Sequence, residues 1–130
     1  MAGLDVSVLG FAVCDSEQYF IDKIEADIAS WREAYPQINA PSDVPFSIND
    51  QYVGLGYAKS HNDELTFIAR VARQEGVLFD PVYSGKAFMG LVSEIKRDRK
   101  AFGSDVVFVH AGGGFGVFPY EQQWQEVLVK

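Results

Sequence analysis

Short β-branched apolar runs alternate along this chain with longer stretches whose apolar residues recur at three- and four-residue steps. The two rhythms belong to different elements, because side chains alternate faces along a strand but return to one face each turn of a helix. Residues 5–13, DVSVLGFAV, are almost continuously apolar, the pattern of a strand buried on both faces. Asp15 or Ser16 can then cap a helix whose one face carries Phe20, Ile24, Ile28, Trp31 and Tyr35 and which Pro36 stops. Residues 36–56 turn to Pro, Asn, Ser, Asp and Gly, a connecting region with room for a short strand near 46–48. A second helix starts around 60–62, lines up Leu65, Ile68, Ala69 and Ala72, and ends at Gly76. Residues 77–79 read as a strand closed by Asp80 and Pro81. A third helix is expected over 84–100 with Phe88, Leu91, Val92 and Ile95 inward. A strand over 105–109 follows, then a glycine turn and a last helix through Trp124 and Leu128.

Strands alternating with helices imply the α/β class: a parallel sheet with flanking helices and right-handed crossovers. The 130 residues fit a single α/β domain, 1–130, and their hydrophobic share of 48% suffices for a core. The strand count is nevertheless low for a complete doubly wound sheet, which points to a piece of something larger.

A net charge of −7 disfavours nucleic acid and anionic membrane as partners, since both require a basic face. The basic run Lys96, Arg97, Asp98, Arg99 and Lys100 closes a helix, where positive charge suits the carbonyl end. A single cysteine, Cys14, excludes an intrachain disulfide and zinc-knuckle spacing and fits a reducing, cytoplasmic setting. The N-terminus lacks the basic region of a secretory signal, and no apolar run is long enough to cross a bilayer. A soluble protein is expected.

The stretch 107–118, VFVHAGGGFGVF, invites a phosphate-cradle reading. Its glycines lack the G-x-G-x-x-G spacing of a dinucleotide turn and the lysine of a nucleotide loop, so a packing turn is the simpler account. His110 reads as a hydrogen-bonded histidine at a sheet edge, and His61 as a solvated residue at a helix start. Asn62, Asp63 and Glu64 read as a capping cluster, and Cys14 as a structural thiol. Tyr57 and Tyr83 stand at loop-to-helix junctions, where ligands gather at the carboxyl ends of strands. Aromatic residues there also serve as lids over a core, so the pattern alone leaves their role open.

The segments GYAKSHNDELTFIARVARQEGVLFDPVYSGKAFMGLV and VVFVHAGGGFGVF together resemble the C-terminal part of the D-cysteine desulfhydrase and 1-aminocyclopropane-1-carboxylate deaminase family. These are pyridoxal-phosphate enzymes of the tryptophan-synthase-β fold (fold type II), with the pattern GYG, DPVYTGKA, HTGG. The resemblance is strong over 54–118 and weaker over the first 35 residues. It implies catalytic roles for Tyr57 and Tyr83, which match tyrosines that approach the substrate and move protons. It implies cofactor-side positions for Ser84, Ala111, Gly112 and Gly113. Ser84 stands where the deaminase branch tends to have glutamate, which favours the desulfhydrase branch. Ala111 stands where a threonine usually bonds the pyridine nitrogen, and the loss of that hydroxyl forfeits about 0.5–1.5 kcal/mol.

The family's Schiff-base lysine and phosphate loop lie earlier than the part resembled here, and Lys59 and Lys86 occupy other positions. The resemblance therefore implies that this chain does not hold the cofactor covalently and is inactive by itself. The expected function is a segment of a lyase or deaminase that turns a small amino acid into an oxoacid and ammonia. A complementing N-terminal half or a homo-oligomer would be its partner. Two other readings stand beside it: a non-catalytic α/β module that self-associates through exposed strand edges, and a small-ligand binder that keeps the substrate-side loops.

Overall fold

The computed structural model describes residues 6–38 and 45–129. Strand β1 (Val8–Phe11) pairs in parallel with β2 (Phe46–Asn49), in a register that sets Val8 against Phe46 and Phe11 against Asn49. Helix α1 (Glu17–Ala34) connects them. Ser16 caps α1 by accepting the Tyr19 N–H at 3.3 Å, and the Glu17 N–H reaches back to Asp50 at 2.9 Å. The helix start is thereby tied to the end of β2. A parallel sheet with flanking helices is thus present, and β2 falls where the connecting region left room for a strand.

Helix α2 (Asn62–Glu75) begins as its sequence requires, with the Glu64 carboxylate accepting the His61 N–H at 2.9 Å. It ends at Gly76, whose φ of +69° is the left-handed conformation that glycine adopts without strain. Helix α3 (Ser84–Arg97) lies against β1, and the Cβ that Gly90 lacks would sit 2.7 Å from the Phe11 ring. Helix α4 (Glu121–Leu128) returns onto α2.

The core lies between α2, α3 and the C-terminal segment. One cluster joins Leu65, Val82 and Tyr120, with Trp124 and Val127 packed on it. A second joins Ile68, Val71 and Phe79, flanked by Phe67, Phe88 and Phe108. Phe79 stacks on Phe88 at 4.6 Å between ring centroids and meets Phe108 edge-on at 5.6 Å. Full burial of a side chain such as Leu65 or Ile68 contributes about 1.5–3 kcal/mol.

Several expectations need correction. Residues 77–79 and 105–109 join no ladder: among the described residues the only paired strands are β1 and β2. Their rings pack and the His110 side chain bonds the Leu78 carbonyl, so side chains rather than a backbone ladder hold these segments. Val107 and Val109, expected inside a sheet, are 86% and 78% exposed. The first strand is not buried on both faces either. A two-stranded sheet leaves Val8 and Leu9 open, and only Ala12 of this run is buried; Asp5, where the run starts, lies outside the described residues. On α1, Phe20, Ile24 and Ile28 are only half-buried, while Trp31 and Tyr35 are exposed.

Helix α3 stops at Arg97 rather than 100. Asp98 ends it and, with its carboxylate on the Lys100 N–H, starts a short 3-10 turn, Arg99–Ala101. The Arg99 guanidinium then bonds the carbonyls of Phe102, Gly103 and Ser104, which gives the basic run a local structural use. The glycine turn leads first into a 3-10 segment, Gly114–Tyr120, and only then into α4. No helix among the described residues is long and apolar enough to cross a membrane.

Candidate functional site

Tyr57 and Tyr83 stand 26 positions apart in sequence, yet their hydroxyls share one hydrogen bond and their rings meet edge-on at 5.7 Å. Both side chains are about half exposed, so the pair faces solvent from the rim of the core. The bond to Tyr57 is the main reason that the Tyr83 phenol is pushed above its ordinary pKa, with desolvation adding to it.

Each tyrosine sits on a loop gripped by a buried charge. Tyr83 follows Asp80 and Pro81, both fully buried. The Asp80 carboxylate accepts the N–H groups of Val82 at 2.8 Å, Tyr83 at 2.6 Å and Ser84 at 2.9 Å, together with the Ser84 hydroxyl. Short acidic side chains close such turns because they reach backbone donors a few residues on. Tyr57 lies in a turn with φ values of +97° at Gly56 and +51° at Ala58. The Lys86 ammonium bonds the carbonyls of Val53 at 2.9 Å and Gly56 at 2.6 Å, just before Tyr57. Burial lowers the Lys86 pKa, and the nearby Glu64 opposes that effect.

The glycine turn closes on the same carboxylate. A Cβ on Gly113 would lie 2.8 Å from Asp80 Oδ2, and one on Gly116 would lie 3.4 Å from Oδ1. The turn therefore wraps an anion the protein already owns, which repels rather than cradles a phosphate. His110 accepts the Gly112 N–H on Nδ1, so its Nε2 carries the proton given to the Leu78 carbonyl at 3.1 Å. It stacks on Phe79 at 5.0 Å. The histidine is a hydrogen-bonded structural brace, as expected, but among the described residues it stands at no sheet edge.

Pyridoxal phosphate needs an amine for its aldehyde, donors for its phosphate and a partner for its ring nitrogen. Ala111 has no hydroxyl to offer a ring nitrogen. The Ser84 hydroxyl accepts the Asp80 N–H and commits its one proton to the Asp80 carboxylate, so it has none to give a ring nitrogen. Lys86 is 1% exposed and its amine is held by two carbonyls. Of Gly112 and Gly113, the first presents open backbone, since a Cβ there would meet nothing within 4 Å, while one on Gly113 would press on Asp80. The described residues do not by themselves fit the cofactor. No group of acidic, histidine or cysteine side chains among them is placed to hold a metal ion.

Sequence reasoning singled out both tyrosines, and the structure brings them together. It missed Asp80, read only as the end of a strand, and the structural use of Lys86. A charged residue inside an otherwise apolar run was the available signal for each.

No family model matches the chain. It is 34% identical over 129 residues to a bifunctional D-cysteine desulfhydrase/1-aminocyclopropane-1-carboxylate deaminase, mitochondrial, of Arabidopsis thaliana, covering 98% of this chain and 31% of that protein. It is 33% identical over 114 residues to a putative 1-aminocyclopropane-1-carboxylate deaminase of Thermotoga maritima, covering 87% of this chain and 34% of that one. A D-cysteine desulfhydrase of Serratia proteamaculans is 38% identical over 79 residues, which cover 61% of this chain and 24% of that protein. Among solved structures, that of an ACC deaminase homologue superposes with a TM-score of 0.72 at 28% identity, over 92% of this chain and 35% of that one. The chain thus spans about a third or less of the length of the relatives it matches.

Proposed function

The chain resembles the C-terminal part of the D-cysteine desulfhydrase/1-aminocyclopropane-1-carboxylate deaminase family, and from that premise we propose that Tyr57 and Tyr83 form the substrate-side proton-transfer pair of such an enzyme. The hydrogen bond between the two hydroxyls carries this reading. Two phenols in one hydrogen bond can pass a proton: one gives its proton to the substrate while the other re-supplies it. Tyr83 holds its proton more tightly than an ordinary phenol, so at neutral pH it is a donor rather than a base. The reaction class is conversion of a small amino acid to an oxoacid and ammonia, with release of sulfide when the substrate is D-cysteine. In the complete enzyme pyridoxal phosphate supplies the electron sink.

Because the described residues do not fit that cofactor, the chain alone is proposed to be inactive, with a complementing N-terminal part carrying the lysine and the phosphate contacts. The experiment is reconstitution. The chain is co-expressed with the part of the Thermotoga maritima relative that precedes its matching third, and sulfide release from D-cysteine is followed. Tyr57→Phe and Tyr83→Phe should each lower the rate about 100-fold or more, the usual range for loss of a proton-transfer group. Unchanged rates in both variants, no sulfide release from the reconstituted pair, or an aldimine band from the chain alone with pyridoxal phosphate would defeat the proposal.

A second reading, a module that self-associates, is favoured by the exposed side chains of Val107, Val109, Phe115 and Phe118, the first two on a segment in no ladder. Sedimentation decides it: a strictly monomeric chain at high concentration removes this reading.

A further inference from the structure

We infer that Asp80 and Lys86 are positioning residues of the tyrosine pair: Asp80 fixes the backbone of Tyr83, and Lys86 fixes the turn that carries Tyr57. The two charges are 0% and 1% exposed. Among the described residues neither forms an ion pair at contact distance. Each is instead compensated by hydrogen bonds from one loop. Asp80 takes three consecutive backbone N–H groups, 82 to 84, with Tyr83 in the middle. Lys86 takes two carbonyls that bracket the approach to Tyr57.

Apolar side chains of similar volume often stabilise a core as well as buried charges do. Two buried charges whose hydrogen bonds fall on the two tyrosine loops are therefore better explained by geometry than by stability. Both come from one seven-residue run entering α3, so a single rigid junction sets both hydroxyls. The glycine turn backs this junction, because only a residue without Cβ lets Gly113 approach the Asp80 carboxylate. Glu64 backs the other side: a Cβ on Gly54 would lie 2.6 Å from Glu64 Oε1 and 3.8 Å from Lys86 Nζ.

The inference rests on the proposed role of the pair, but its test needs no substrate. Tyrosine ring carbons are isotope-labelled in the full chain and titrated against pH by NMR. In Asp80→Ala and in Lys86→Met, Tyr83 should titrate closer to an ordinary phenol than in the parent chain, because the two hydroxyls separate. Val71→Ala, which weakens the cluster of Ile68 and Phe79 rather than the one that holds Val82, should lower the melting temperature and leave the Tyr83 titration in place. Should either charge variant fail to fold, Gly113→Ala and Gly54→Ala carry the test: the first methyl group presses on Asp80, the second on Glu64 beside the turn that Lys86 holds, and both should shift Tyr83. A folded variant at either charge, or its glycine substitute, with the parent titration overturns the inference, as does an equal shift in Val71→Ala. A reconstituted enzyme that releases no sulfide bears on the proposed reaction and leaves this result standing.

Discussion

The hydroxyls of Tyr57 and Tyr83 meet although one follows β2 and the other opens α3. The bond keeps the Tyr83 proton in place, so Tyr83 titrates above the ordinary phenol value of about 10. An acid whose folded pKa is raised contributes stability that is fully present below its unfolded value and lost as pH rises through the folded value. In Tyr57→Phe the alkaline step in site-resolved tyrosine titration should move down toward the ordinary value. Stability at neutral pH should change little, because the pair is exposed. A Tyr83 titration identical in the two proteins would show that the contact is not formed in solution.

Tyr52 donates its hydroxyl to Glu94 at 2.8 Å, joining the segment after β2 to α3. Glu94 also receives the Arg97 guanidinium, and this ion pair, ahead of the Tyr52 bond, holds its carboxyl below the ordinary range. A lowered carboxyl pKa gives stability that is present above the unfolded value and lost as pH falls through the folded one. Tyr52→Phe should lower the melting temperature by a few degrees at neutral pH, and the gap to the parent should narrow in acid. A gap that widens in acid would contradict this assignment.

Much of this architecture was legible because local signals and tertiary packing agree. Ser16, Glu64 and Gly76 mark helix ends by chemistry that needs no distant partner. Residues 77–79 and 105–109 failed for the opposite reason. Their β-branched composition predicts extended chain, but a strand exists only where a neighbour completes the ladder, and composition does not reveal the neighbour. The tyrosines could be nominated from motif resemblance, whereas their meeting depends on two buried charges acting through backbone groups. In sequence, Asp80 and Lys86 stand out only as charges set among apolar residues, a signal that does not say what they hold. Only packing shows that each is wholly enclosed.

Two glycines separate the two reasons a chain keeps this residue. A Cβ on Gly85 would lie 2.5 Å from Ile68 Cδ1 and 2.6 Å from the Asp80 carbonyl, so the obstacle is space. A Cβ on Gly76 would meet nothing within 4 Å, and the obstacle there is its φ of +69°. Gly85→Ala should therefore destabilise by about 1–3 kcal/mol through overpacking. Gly76→Ala should cost about 1 kcal/mol through backbone strain alone. Denaturant unfolding of both variants checks the order. Gly85→Ala should also disturb the Tyr83 loop, since the Gly85 N–H bonds the Asp80 carbonyl at 2.8 Å, whereas Gly76→Ala should leave it intact. Reversal of the order would mean that the Ile68 side chain moves aside at little cost.

Tyr120 is 4% exposed and packs with Leu65 and Val82, but its hydroxyl finds no hydrogen-bond partner among the described residues. A buried hydroxyl gives up its bonds to water, and without replacement that loss costs about 1–3 kcal/mol. The ring more than offsets it by filling the space beside Trp124. Tyr120→Phe keeps the ring and removes the unpaired group, so it should stabilise the chain by about 1 kcal/mol, where most core substitutions destabilise. Tyr120→Leu should destabilise, because the volume of the ring is lost along with the hydroxyl. Thermal unfolding of the two variants against the parent provides the measurement. A lower melting temperature for Tyr120→Phe would mean that the hydroxyl is bonded in the folded protein, and that its value lies in that bond rather than in the ring alone.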